Sequence, residues 1–256
     1  MASWTERFSL AGRKALVTGA SKGIGAEICR VFADAGADIV AVARDRAGLD
    51  EVAAAVRTAG RECLIIDADL GTPDGPVAAG RQALDAWGTI DVLVNSAGIA
   101  HVVPALELAA EDWDRVMAVN LRAPFLLSRT LAPAMIAQRW GKIINISSQA
   151  GVIALDDHAA YSSSKGGLNA LTKSLCAEWA RHNVQVNAIC PTVVMTPMGK
   201  QVWGPEEKSR PFIEATPLRR FGEPVEIADA ALYLASPAAE LVNGSLLMLE
   251  GGFTSV

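Results

Sequence analysis

The run KALVTGASKGIGAEICRVFADAG, residues 14–36, decides the fold. Lys14–Thr18 is a short, largely apolar, β-rich segment. A glycine-rich turn, Thr18-Gly19-Ala20-Ser21-Lys22-Gly23-Ile24-Gly25, follows at once. Ile24–Ala35 then reads as a helix that stops at Gly36, a residue suited to a helix C-terminus. In such a strand–turn–helix unit, Gly19 permits the tight turn. Gly23 lets the backbone approach a pyrophosphate, and Gly25 lets the helix pack closely on the sheet. The helix N-terminus then faces the anion. The spacing is G-x-x-x-G-x-G rather than G-x-G-x-x-G.

The same alternation continues along the chain. Strands are expected at Lys14–Thr18, Asp38–Ala43, Glu62–Asp67, Asp91–Asn95, Lys142–Ser147, Gln185–Ile189 and Ser245–Leu249. Several are nearly continuous apolar runs, as parallel strands buried on both faces require. Helices are expected at Leu49–Ala59, ending at Gly60, and at Val77–Trp87, ending at Gly88. Glu111–Gln138 is expected as a long helix broken near Pro124 and again at Pro133. Tyr161–Arg181 and Val225–Ala235 follow. This order implies an α/β fold: one domain over residues 1–256, a doubly wound parallel Rossmann-type sheet of about seven strands with helices on both faces. Thr192–Pro217 holds four prolines and reads as an insertion between the last two strands, of the kind that forms substrate lids.

Bulk properties exclude several classes. The chain has 256 residues, 51% hydrophobic and 20% charged, so it folds around a substantial core. A net charge of −5 without a long basic run argues against a nucleic-acid surface. No apolar stretch reaches membrane-span length, and Met1–Leu10 is too polar for a signal peptide. Cys29, Cys63, Cys176 and Cys190 are scattered, as for reduced thiols of a cytoplasmic protein. With three histidines and no CxxC, no metal site is expected.

The chemistry is expected in NISSQAGVIALDDHAAYSSSK, residues 145–165. Ser148 lies thirteen residues before Tyr161, and Lys165 four residues after it. On a helix, Lys165 falls on the face of Tyr161 one turn later. An ammonium beside a phenol favours the phenolate, which makes a general acid/base usable near neutral pH. Ser148 is placed to hold a substrate oxygen from the end of a neighbouring strand.

With these residues, the chain resembles the short-chain dehydrogenase/reductases from about Leu10 to Phe253. The resemblance rests on TGASKGIG, DADL with Asp69, NSAG (Asn95–Gly98), Asn120 in MAVN, NISS, YSSSK and Pro191–Thr196. It implies that Tyr161 exchanges a proton with a carbonyl or alcohol oxygen held by Ser148. Lys165 binds the nicotinamide ribose and biases Tyr161 toward ionisation, and Asn120 holds a water linking Lys165 to solvent. The implied cofactor contacts are Gly19, Ser21, Lys22, Gly23, Ile24, Gly25, Asp69 and Leu70. Asn95, Ala97, Gly98, Pro191, Val194 and Thr196 complete them. Two departures stand out: NSAG replaces the usual NNAG, and Pro191-Thr192 replaces the usual Pro-Gly.

NAD-preferring members carry an acidic residue at the end of the second strand. Here that position is Ala43, followed by Arg44, with Lys22 in the glycine loop. Two cations suit the 2′-phosphate of NADP, so NADP(H) is favoured and NAD(H) is the alternative. Asp45 either neutralises Arg44 or caps the next helix. Within the family, the runs NISSQ, HAAY, PTVVMTPMGKQVW and LEGGF are most similar to L-xylulose (dicarbonyl) reductases. That similarity implies a small keto-sugar, polyol or α-dicarbonyl substrate in a pocket lined by Gln149, His158 and Trp203, with Trp203 closing over the ligand or anchoring the insertion. The implied assembly is a homotetramer. NAD-dependent polyol dehydrogenases of the galactitol type, 3-oxoacyl-carrier-protein reductases and a non-catalytic nucleotide-binding protein are the other readings.

Overall fold

A computed structural model of the protein describes residues 3–256. The chain runs α1 (Trp4–Arg7), β1 (Lys14–Thr18), α2 (Gly23–Asp34), β2 (Asp38–Ala43), α3 (Arg46–Thr58), β3 (Cys63–Asp67), α4 (Gly75–Trp87), β4 (Val92–Asn95) and α5 (Ala110–Met117). It continues through α6 (Ala123–Gln138), β5 (Gly141–Ile146), α7 (Ala159–Trp179), β6 (Val184–Pro191), α8 (Pro197–Trp203), α9 (Glu206–Ala215), α10 (Pro224–Ala235) and β7 (Leu246–Leu249).

The strands form one parallel sheet in the order β3-β2-β1-β4-β5-β6-β7. From β1 the chain winds outward through β2 to β3. It then returns to place β4 on the other side of β1 and winds outward again. The order therefore reverses between β1 and β4, and the crevice at their C-terminal ends is where ligands of such sheets bind.

Both faces of the sheet are buried, and alternate residues serve different cores. Ala15, Val17, Ile39, Ala41, Val92 and Val94 pack with α2 and α10 residues such as Phe32, Ile227 and Leu234. Leu16, Val40, Val42, Leu93, Ile143 and Val186 pack on the opposite face with Ala83, Leu127, Leu131 and Met135. Period-two alternation between two apolar cores makes each strand read as continuously apolar. The helices stop as expected: Gly36, Gly60 and Gly88 all take positive φ just beyond α2, α3 and α4.

One expectation needs correction. The expected helix over 111–138 is α5, a π-helical turn over Ala118–Arg122, and α6. The break precedes Pro124, which occupies the first turn of α6. Pro133 does not break the helix: it lies on the exposed face of α6, where water can meet the carbonyl its missing N–H leaves free. The insertion Thr192–Pro217 lies between β6 and β7 and carries α8 and α9, with Thr196 capping α8 through the Gly199 N–H.

Candidate active site

The glycine-rich loop sits at the β1–β4 crevice and is tied to the strand beside it. Thr18 Oγ1 accepts the N–H groups of Ser96 and Ala97, both at 3.0 Å, so the TGASKGIG and NSAG runs move as one unit. Gly19 has φ +66°, and a Cβ there would lie 2.9 Å from Ala97 Cα. A Cβ on Gly25 would lie 2.4 Å from the Gly19 carbonyl oxygen. Loop and helix thus touch backbone to backbone. No side chain caps the N-terminus of α2, so its first N–H groups are left for an external partner. An uncapped helix start beside a glycine-rich loop suits a pyrophosphate.

The end of β2 separates the two readings of Asp45. Its carboxylate accepts the Gly48 N–H at 3.2 Å as the cap of α3 and leaves Arg44 alone. Arg44 instead reaches Asp69, Nη1 to Oδ2 at 3.7 Å, with the side chains 69% and 50% exposed. An ion pair that open is strongly screened and holds Arg44 weakly. Lys22 is also exposed at the rim.

The reactive constellation is built by docking α7 onto the end of β5. Lys165 Nζ donates to the Ile146 carbonyl at 2.7 Å, and Ser147 Oγ donates to the Lys165 carbonyl at 3.3 Å. Asn169 Nδ2 donates to the Gly151 carbonyl at 3.2 Å, clamping the short 3-10 turn Gln149–Gly151 on the helix. Ser148 caps that turn by accepting the Ala150 N–H at 3.1 Å. This seats Ser148 in the same cleft wall as Tyr161. The Lys165 ammonium is 5.6 Å from the Tyr161 ring centroid.

The expected direction of the tyrosine pKa is corrected here. Burial pushes the Tyr161 phenol above its ordinary value, and the Ser148 hydrogen bond only partly opposes this. Lys165 does not set the direction. Its own pKa is pulled down to about 8 by burial, with Cys190 opposing. Desolvation sets the direction for both groups.

These residues line a cleft of about 730 Å³. Its wall includes Gly19, Ser21, Lys22, Gly23, Ile24, Gly25, Arg44, Asp69, Leu70, Ala97, Gly98, Pro191, Val194 and Thr196. Ser148, Gln149, His158, Tyr161, Lys165 and Trp203 complete it. Asn95 and Asn120 lie behind the wall instead. Asn95 is buried and donates to Asn145 Oδ1 at 2.8 Å, and Asn145 donates to Thr172 Oγ1 at 2.9 Å. Asn95 thus bridges β4 and β5 rather than facing the cleft. Asn120, in the π-helical turn, accepts the Ile99 N–H and donates to the Ile99 carbonyl, both at 2.9 Å. It also donates to Ser164 at 3.0 Å. Its amide anchors the loop after β4 to α7.

His158 faces Tyr161 edge-on with centroids 6.1 Å apart, and its Nδ1 lies 2.6 Å from the Asp156 carbonyl. Trp203 lines the cleft and is also anchored. Its ring lies 4.7 Å from Phe212 and 6.3 Å from Phe221, and Phe212 stacks on Phe253 at 4.6 Å. The clamp made by Thr18 was missed from sequence. A strand-ending threonine directly before the glycine turn is its one local signal.

A family model described as enoyl-(acyl carrier protein) reductase matches residues 19–254. The chain is 43% identical to D-threitol dehydrogenase of Mycolicibacterium smegmatis, over 96% of this chain and 95% of that one. It is 41% identical to L-xylulose reductase of Bos taurus, over 95% and 97%. The structure superposes with a TM-score of 0.94 on gluconate 5-dehydrogenase of Burkholderia cenocepacia J2315 in complex with NADP and tartrate, 36% identical over 99% of this chain and 100% of that one. The chain belongs to the short-chain dehydrogenase/reductase family. It is an oxidoreductase of that class, working on CH–OH and C=O groups with a nicotinamide cofactor.

Proposed function

We propose that this protein interconverts the carbonyl and alcohol of a small keto-sugar, polyol or α-dicarbonyl, using NADP(H). The observation that carries the reading is the meeting of Ser148, Tyr161 and Lys165 in one cleft with the glycine loop. The named activities of the threitol and xylulose relatives point to the same substrate class. The glycine loop, the uncapped α2 N-terminus, Pro191, Val194 and Thr196 would hold the cofactor, with Asp69, Leu70, Ala97 and Gly98 along its length. When bound, the nicotinamide supplies or accepts the hydride.

Ser148 holds the substrate oxygen. Tyr161 gives that oxygen its proton in reduction and removes it in oxidation. Lys165, fixed to the Ile146 carbonyl, orients the cofactor ribose and refills Tyr161. Asn120 acts as a positioning residue, keeping the Ile99 loop on α7. His158 and Gln149 meet the rest of the substrate. Trp203 closes the cleft as part of segment 192–217, which serves as a lid hinged on its aromatic anchor. The working assembly is a homotetramer, and the chain works as one domain.

Arg44 is the proposed reader of the 2′-phosphate, freed for the task because Asp45 is spent on α3. Arg44→Ala should raise the KM for NADPH by at least about tenfold, the cost of losing a charge-assisted pair, and leave that for NADH within about twofold. Equal changes for both cofactors would remove Arg44 from that role. The second reading, NAD-dependent polyol oxidation, is favoured by the Asp69 carboxylate at 3.7 Å from Arg44, which competes with a phosphate. Steady-state reduction of L-xylulose and diacetyl with NADPH and NADH, beside oxidation of xylitol and galactitol with NADP and NAD, tests both. NADPH-dependent reduction supports the first, and strong NAD-dependent polyol oxidation selects the second.

A further inference from the structure

Two residues of the cleft wall carry buried oxygen atoms that the fold leaves without partners. Gln149 Oε1 and Thr192 Oγ1 have no hydrogen-bond partner among the described residues, and both residues line the cleft. Ile146 and Ile189 are register partners in β5 and β6, and Gln149 and Thr192 each lie three residues beyond them. Gln149 is 2% exposed. Thr192 is rigidly seated, because its N–H donates to the Leu249 carbonyl at 3.0 Å and extends the β6–β7 ladder past the strand ends. Its β-branched side chain has few rotamers, so the hydroxyl is held in place. Glycine, the usual residue of this family at the position, has no hydroxyl to offer.

Buried polar atoms are seldom left unpaired, and each such case calls for a cause. Here both residues line the reaction cleft, Gln149 in the short turn one residue after Ser148 and Thr192 one residue after Pro191, where β6 ends. Gln149 Oε1 accepts only, whereas the Thr192 hydroxyl both accepts and donates. A ligand that satisfies both must bring a hydroxyl donor beside the group gripped by Ser148. Polyols and hydroxyketones have one, and a diketone without hydroxyls has none.

We propose that Thr192 is a specificity-determining residue, whose hydroxyl pairs with a substrate hydroxyl next to the reacting carbon and selects polyhydroxylated substrates over simple dicarbonyls. This rests on the carbonyl–polyol reading above and deepens it.

The test compares Thr192→Val, Thr192→Ser and Thr192→Gly with wild type on L-xylulose and on diacetyl. NADPH affinity is measured separately by fluorescence titration. A site built to bond a hydroxyl loses discrimination when its partner is removed. Thr192→Val and Thr192→Gly should lower kcat/KM for L-xylulose by about tenfold or more, while diacetyl stays within about twofold. Thr192→Ser, which keeps the hydroxyl, should stay near wild type on both. NADPH affinity should be unchanged in all three. Equal losses on both substrates, no loss on either, or weakened NADPH binding in Thr192→Val would each overturn the proposal. Wild-type protein that turns over neither substrate would overturn the functional reading itself and the proposal with it. Active wild type with an unselective Thr192→Val would sink the proposal alone.

Discussion

Tyr161→Phe lowers kcat for carbonyl reduction by about 10²- to 10⁴-fold, the range for a positioned general acid, and leaves cofactor affinity within about twofold. The substitution deletes one oxygen and keeps the ring that packs beside His158. Lys165 keeps its bond to the Ile146 carbonyl, so the α7–β5 junction survives. Stopped-flow reduction and fluorescence titration of NADPH separate the two effects. Near-normal turnover would remove Tyr161 from the proton step. The raised phenol pKa also gives the two directions different pH responses. Reduction needs the protonated phenol, which burial favours, so it runs at neutral pH. Oxidation needs the phenolate, so its rate climbs with pH through the alkaline range.

Lys142→Met makes the folded protein more stable near neutral pH, by about 3 kcal/mol, and the gain fades in alkali. Lys142 is 1% exposed, and its Nζ has no hydrogen-bond partner among the described residues. It lies 5.8 Å from the Trp140 ring centroid, whose nearer cation is Arg13 at 3.8 Å. Burial pulls the Lys142 pKa from 10.5 to about 8, Glu240 opposes, and Arg13 adds to the depression. A fall from 10.5 to about 8, at ~1.4 kcal/mol per pH unit, puts the gain on the order of 3 kcal/mol. Below pH 8 folded and unfolded chains both carry the proton, so the fold bears the full cost of a buried charge. Between about 8 and 10.5 the folded chain releases a proton that the unfolded chain keeps, and stability recovers as pH rises.

Other groups blur the wild-type curve. Lys165 shifts in the same direction, also to about 8. Cys63, pushed up to about 11, runs the other way: its folded thiol stays protonated after the unfolded one ionises, so stability falls there. The difference between variant and wild type isolates Lys142. Urea midpoints of both proteins at pH 7 and pH 9.5 supply it. A variant less stable at pH 7, or a pH-independent difference, would contradict the account. Lys142 sits near the N-terminal end of β5, away from the cleft, so kcat should not change.

Much of the fold was legible because the sheet imposes a simple pattern. Seven strands were expected and seven are present, with ends moved by one or two residues. Buried parallel strands must be apolar throughout, and α2, α3 and α4 end at glycines. Pro133 misled because a proline's effect depends on which face of the helix it occupies, and solvent exposure is set by α6 packing on its neighbours. The insertion after β6 was legible as such, but its two helices were not, because its prolines sit at helix starts and in α9.

Within the site, residues one turn apart on α7 were readable from spacing, as were the glycines of the first loop. Asn95 and Asn120 were readable as important but not as buried. Their amides face Asn145 and Ile99, partners 50 and 21 residues away in the chain, which become neighbours only when β4 meets β5 and the π-helical turn meets the loop. The unpaired hydroxyl of Thr192 carries no local signal at all.

By itself the sequence determined the alternating α/β order, the glycine loop and the Ser148–Tyr161–Lys165 set, because each depends on contacts within a few residues or on strand periodicity. The tertiary structure alone decided that burial raises the Tyr161 phenol, that Asp45 caps α3 while Arg44 reaches Asp69, and that Gln149 and Thr192 line one cleft. Those outcomes depend on desolvation and on side chains brought together from separate strands, quantities that no stretch of sequence contains.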